Sequence, residues 1–240
     1  MRRILPPVFL VLLLLLTVAP TATAQDRVRE ARDVSAFTKV ALNVPGTLHL
    51  RQGEARSVEI EAARKVLDHL ETTVEGSQLK IRDESNFFGR MFDDRDWGDI
   101  DVYVTSPTIE AVSVAGSGSV VGETPIETSS LDLNNAGSGD LDLEVATGDL
   151  TASIAGSGTM QLRGTAERVD VRIAGSGTVR ARDLTTATAE IQVMGSGDTY
   201  MHVTDRLSVE IMGSGDVEYR GSPSIDTSIL GSGDVRPAGQ

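Results

Sequence analysis

Val169-Asp170-Val171-Arg172-Ile173-Ala174-Gly175-Ser176-Gly177-Thr178-Val179-Arg180-Ala181 is the stretch that decides the fold. Its apolar residues fall at every second position on both sides of a Gly-Ser-Gly, the pattern of strands with one face buried and one wet. The tripeptide recurs seven times, beginning at Gly116, Gly137, Gly156, Gly175, Gly195, Gly213 and Gly231, in steps of 21, 19, 19, 20, 18 and 18 residues. A repeat of fixed period marks a chain that stacks one small unit upon the next.

Aligned on the first glycine, the copies form apolar columns. Six residues before it stand Leu131, Leu150, Val169, Ala189, Leu207 and Ile225, and four before it Val112, Leu133, Ala152, Val171, Ile191, Val209 and Thr227. Two before it are Val114, Asn135, Ile154, Ile173, Val193, Ile211 and Ile229, and four after it Val120, Leu141, Met160, Val179, Thr199, Val217 and Val235. A two-stranded unit cannot bury its inner face alone. Coils stacked ~4.8 Å apart place equivalent residues one above another, and each pairs its backbone with its neighbours. The expected fold is therefore all-β: a β-solenoid built from Gly-Ser-Gly repeats of about 19 residues, each a strand, a corner, a second strand and a looser return. The glycines suit corners that need a positive φ or close approach between coils.

The recurring aliphatic-x-aliphatic-[Ala/Met/Leu]-Gly-Ser-Gly-[Asp/Thr/Ser] unit resembles a bacterial family of unknown function labelled "putative auto-transporter adhesin, head GIN domain". The segment from Phe37-Thr38-Lys39-Val40 through Gly46-Thr47-Leu48-His49-Leu50 to Leu79-Lys80-Ile81 is similar to that family's opening. The resemblance covers nearly all of the mature chain and implies a right-handed single-stranded β-helix in a cell-envelope protein. No translocator barrel is read up to Gln240, which leaves the autotransporter half of that label unsupported.

Arg2 and Arg3, the apolar run from Val8 to Leu16 and Ala22-Thr23-Ala24 read as a secretory signal peptide over 1–24. The run is too short and too closely flanked by Pro6, Pro7 and Pro20 to span a bilayer, and no later segment could. An exported, periplasmic or extracellular protein is expected. With no cysteine in the chain, disulfides, thiolate metal sites and an acylated N-terminal cysteine are excluded. After cleavage, 20 basic face 35 acidic residues, a surface that repels nucleic acid and anionic lipid.

Residues 25–105 lack the tripeptide but keep strand signals at Val40–Val44, Thr47–Arg51, Val58–Glu61, Thr72–Val74, Leu79–Arg82 and Ile100–Val104. Ala62–Leu70 reads as a short helix with Val66, Leu67 and Leu70 on one face. This part is taken as irregular coils plus an N-terminal cap, continuous with the regular solenoid over 106–240, a separate small β domain being the alternative. Within this part, Phe87, Phe88, Phe92 and Trp97 sit in a loop studded with Asp and Arg, in a chain otherwise poor in aromatics. Two readings stand. The rings form a binding hot spot, or they fold back over an open end of the core.

Asp198, Asp216 and Asp234 follow three successive corners and would stack along one edge, a candidate site for a hard cation such as calcium. Asp is also an ordinary turn residue that bonds nearby amides, and with Ser119, Thr159 and Thr178 interrupting the row, turn capping is preferred and no cofactor is expected. Catalytic signals are thin. His49, His69 and His202 are scattered, and a serine that recurs in all seven corners is structural, because a nucleophile is needed once. The reading is an exported, non-enzymatic, adhesin-like or structural module of the cell envelope. Its partners would be an envelope or extracellular component, glycan or protein, or another copy of itself. The alternatives are a self-assembling scaffold and a polysaccharide lyase or hydrolase drawing on Asp101, Asp132, Asp140, Asp142, Arg172 and Arg180.

Overall fold

A computed structural model describes residues 27–84 and 98–239. The chain is nearly all strand and winds a β-solenoid of about seven turns. The regular coils are β8 (Ala111–Gly116), β9 (Ser119–Gly122), β10 (Ile126–Gly137), β11 (Asp140–Gly156), β12 (Thr159–Gly175), β13 (Thr178–Gly195), β14 (Asp198–Gly213), β15 (Val217–Arg220), β16 (Ser224–Gly231) and β17 (Val235–Pro237). Successive coils pair parallel and in register, so that Gly137, Gly156, Gly175, Gly195, Gly213 and Gly231 align in one column above Gly116. Core columns follow from the same register: Leu133, Ala152, Val171 and Ile191 stack, as do Ile154, Ile173, Val193 and Ile211, all essentially buried.

Gly175 shows why the corner is glycine. Its φ is +126°, and a Cβ built there would lie 2.5 Å from the Gly156 carbonyl oxygen. That oxygen already accepts the Ser176 amide at 2.9 Å, so the coils cannot separate without losing the bond. At Gly177 the obstacle is the core itself, with Ile154 Cγ2 2.5 Å from the added carbon.

The return is not loose. β12 and β13 run through it as continuous strands of 17 and 18 residues, with Thr165 paired to Thr185 and Ala166 to Thr186. Backbone groups on the return need partners like any others, and the neighbouring coil supplies them. Register shifts between Gln161 and Arg163, Ala181 and Thr185, and Thr186 and Thr188 fall on this side, which absorbs the differences in repeat length and leaves the glycine column aligned.

Below the regular coils lie β1 (Arg27–Ala31), β2 (Lys39–Asn43), β3 (Thr47–Gln52), β4 (Ser57–Ala63), α1 (Arg64–Leu67), β5 (Leu70–Glu75), β6 (Gln78–Asp83) and β7 (Asp101–Ser106). The stacking here departs from chain order. β2 lies between β8 and β6, and β3 between β9 and β7, all parallel. Beyond them the direction reverses: β5 runs antiparallel on β6, β4 on β7, and β1 on β4. The crossing through α1 buries Val66 and Leu67. The expected helix over Ala62–Leu70 is shorter than its periodicity suggests, because Ala62 and Ala63 extend β4 and Leu70 opens β5. β1 carried no strand signal that alternation could detect.

Candidate functional site

The aspartates after the corners form a row committed to the backbone. Asp198 Oδ1 accepts the Asp216 amide at 3.1 Å, and Asp216 Oδ1 accepts the Asp234 amide at 3.0 Å. Asp140 does the same for the Thr159 amide at 3.2 Å. Arg236 Nη1 stands 3.5 Å from Asp216 Oδ2 and 3.7 Å from Asp234 Oδ2, supplying positive charge at the end of the row. Among the described residues no group of three or more His, Asp or Glu is arranged to hold a metal ion. Phe87, Phe88, Phe92 and Trp97 lie outside the described residues, in the connection from β6 to β7.

A polar cluster ties the cap to the first coils. Arg27 of β1 bonds Asp101 of β7, and His49 Nε2 of β3 lies 3.0 Å from Asp101 Oδ1 and Nδ1 3.6 Å from Glu123. The imidazole stacks on Tyr103 with ring centroids 4.7 Å apart, and the Arg29 guanidinium covers the same ring at 3.8 Å. Burial works to raise the Asp101 carboxyl, but the hydrogen bonds from Arg27 and His49 outweigh it and hold the group below the ordinary aspartate range. The other two histidines stand elsewhere: His69 is exposed near α1, and His202 has Nδ1 3.4 Å from Thr185 Oγ1. Two of the residues named for catalysis are held in ion pairs. Asp142 is 2.8 Å from Arg163, and Arg172 bonds Asp170.

A broad concavity lies where the chain turns into the strand before each corner. It is a groove of about 770 Å³ across successive coils, floored by Leu150, Val169 and Ala189. Two rows of outward side chains form the walls. Asp149, Arg168, Thr188 and Arg206 make one, and Thr151, Asp170, Glu190 and Ser208 the other. Both rows follow from strand alternation, which turns every second residue outward from the buried columns.

The groove carries both signs of charge, the arginines in one row and paired carboxylates in the other. Arg168 Nε bonds Asp149 Oδ1 at 2.6 Å. Asp170 faces Glu190 one coil along, and its Oδ1 is buried without a hydrogen-bond partner among the described residues. Burial, reinforced by the negative charge of Glu190, pushes the Asp170 carboxyl up against the pull of Arg172. Such a lining offers fixed donors and acceptors at the coil spacing over a narrow apolar floor. Aligning the copies on their buried positions hides these residues; they lie seven and five places before the first glycine, at positions read only as the polar half of the alternation.

A solved structure from Bacteroides fragilis called a putative adhesin is 23% identical, covering 90% of this chain and 98% of that one, with a TM-score of 0.83. A "putative lipid binding protein" from Parabacteroides distasonis is 25% identical, covering 89% and 97%, with a TM-score of 0.72. A putative adhesin from Parabacteroides merdae is 18% identical, covering 89% and 96%, with a TM-score of 0.67. No curated protein sequence matches the chain. The family model described as "Putative auto-transporter adhesin, head GIN domain" matches residues 36–223, from the first inner strand to the threshold of the last coil, and the chain belongs to that family.

Proposed function

We propose that the protein is an exported, non-catalytic recognition module whose groove holds an extended, hydroxyl-rich polymer, a glycan of the envelope or the extracellular surroundings. The observation that carries this reading is the pair of polar rows from Asp149 to Ser208. Arg168 and Arg206 offer forked donors, and Asp170 and Glu190 offer acceptors, in positions that repeat every ~4.8 Å along the stack. A linear polymer with its own repeat of hydroxyl groups can meet that ladder at several coils at once.

The family name supports the adhesin-like character, and the acidic surface argues against nucleic acid. No helix among the described residues is long and apolar enough to cross a membrane. The reading is tested by binding of the purified protein to a glycan array and to fractionated envelope polysaccharide. Arg206→Ala combined with Asp170→Asn should weaken binding by roughly 10-fold or more, since hydrogen bonds to charged groups contribute about 1.5–3 kcal/mol each. Binding unchanged in that variant refutes the groove as the site.

A second reading has its own observation. Met194, Met212 and Leu230 stack in register immediately before their corners and are 53, 43 and 75% exposed. This apolar row suits contact with lipid, the ligand class named for the Parabacteroides distasonis relative. Co-sedimentation with zwitterionic phospholipid vesicles, lost on Met212→Asp, would support it; no sedimentation would remove it.

A further inference from the structure

The two ends of the solenoid differ. At the N-terminal end, β1, β4 and β5 run antiparallel to the coils and α1 crosses the core. The outermost strands there carry Arg27, Arg29, Glu30, Glu71 and Glu75. At the other end, among the described residues, β16 is bonded only to β14 and β17 only to β15, which leaves one edge of each strand open. Ile225 and Ile229 continue the columns of Leu207 and Ile211, yet they are 44 and 42% exposed, with no further coil over them among the described residues. Six large apolar side chains are exposed among the described residues, and five of them, Met194, Met212, Ile225, Ile229 and Leu230, lie on the last three coils.

The terminal strand is self-complementary. In Ser224-Ile225-Asp226-Thr227-Ser228-Ile229-Leu230, antiparallel pairing with an identical strand about Thr227 sets Ile225 opposite Ile229 of the second copy. Asp226, the sole ionisable residue of the strand, then faces Ser228, so no like charges meet. Pairing of β17 about Val235 sets Asp234 opposite the second copy's Arg236 in the same way. Directly opposed residues in an antiparallel pair point to the same face, so the core columns of the two copies would run on into each other.

We propose that two copies dock end to end through this last coil, about a twofold axis at Thr227, closing the open edge and the exposed columns. A closed twofold arrangement is also the commonest way identical chains associate. A head-to-tail array would instead set β16 against the charged antiparallel strands of the other end, where no continuing apolar column meets it. This inference is independent of the groove.

The chain has no cysteine, which gives the test a clean readout. Thr227→Cys places two sulfur-bearing side chains directly opposite one another across the axis, where Cβ atoms lie ~4.5 Å apart in the closer, non-hydrogen-bonded type of pair, at the upper end of the range a disulfide spans. Asn134→Cys, exposed on β10 in the middle of the stack, is the control. Sedimentation of the unmodified protein should report a dimer, and oxidation should link Thr227→Cys but not Asn134→Cys. Ile225→Lys with Ile229→Lys should give a monomer with an unchanged far-UV spectrum. A wild-type monomer, equal linking of both cysteine variants, open-ended filaments, or a dimer that survives the double lysine change with its fold intact would each overturn the proposal.

Discussion

Gly175→Ala adds one methyl group to the glycine column, and its cost can be worked from the structure. The residue has φ of +126°, a region that L side chains enter at a cost of about 1–3 kcal/mol. The added carbon meets the Gly156 carbonyl oxygen at 2.5 Å and the carbonyl carbon at 3.2 Å. Relief requires the two coils to part, which lengthens the Ser176-to-Gly156 bond and loosens the Ile154–Ile173 contact beneath it; overpacking of this kind costs a further ~1–3 kcal/mol. A total of about 4 kcal/mol corresponds to a fall in Tm of roughly 8–16 °C for a chain of this size. Gly76→Ala is the matched comparison. Gly76 sits in the β5–β6 turn with φ of +63°, and nothing lies within 4 Å of the added carbon. Only the backbone penalty remains there, about 1 kcal/mol or ~2–4 °C. Differential scanning calorimetry on both variants separates the terms. Equal shifts would mean that the coils have slack at the corner, and the steric account of the column would be wrong.

Other outcomes follow from single groups. Asn135 occupies a core column between Val114 and Ile154, donates through Nδ2 to the Gly139 carbonyl at 2.5 Å and leaves Oδ1 buried without a partner. Because Gly139 also accepts the Thr159 amide, Asn135→Val should raise stability by about 1 kcal/mol in urea denaturation. The Asp170 carboxyl is raised on folding, so its contribution is full in acid and is lost as pH rises through its folded value. Asp170→Asn should therefore gain stability relative to wild type from about pH 4 upward, read from Tm against pH. Asp101 has the opposite sign, since its lowered carboxyl stabilises above about pH 4 and the effect is lost as pH falls through its folded value. Asp101→Asn should cost stability at neutral pH, with the gap closing in acid.

How much was legible in the sequence depended on which way a side chain points. Buried positions such as Leu150, Val171 and Ile211 repeat as aliphatic residues because each meets its copy in the next coil, and that constraint survives as a period. The outward residues at Asp149, Arg168, Thr188 and Arg206 share a row but not a chemistry, so nothing in an apolar alignment joins them. The aspartate row was readable both as a column and as turn residues; the choice between them needed the bond from the Asp216 amide to Asp198 Oδ1. Antiparallel reversal at β4, and the placing of β2 and β3 between strands that follow them in the chain, leave no local mark, since alternation reports a strand's faces and not its neighbours.

The central claim is that the groove is where the polymer lies, and amide chemical shifts recorded during titration with a bound envelope oligosaccharide test it most directly. The account predicts that the largest changes fall on 149–151, 168–170, 188–190 and 206–208, in step across successive coils. Changes confined to 85–97, or to the row of Met194, Met212 and Leu230, would contradict it.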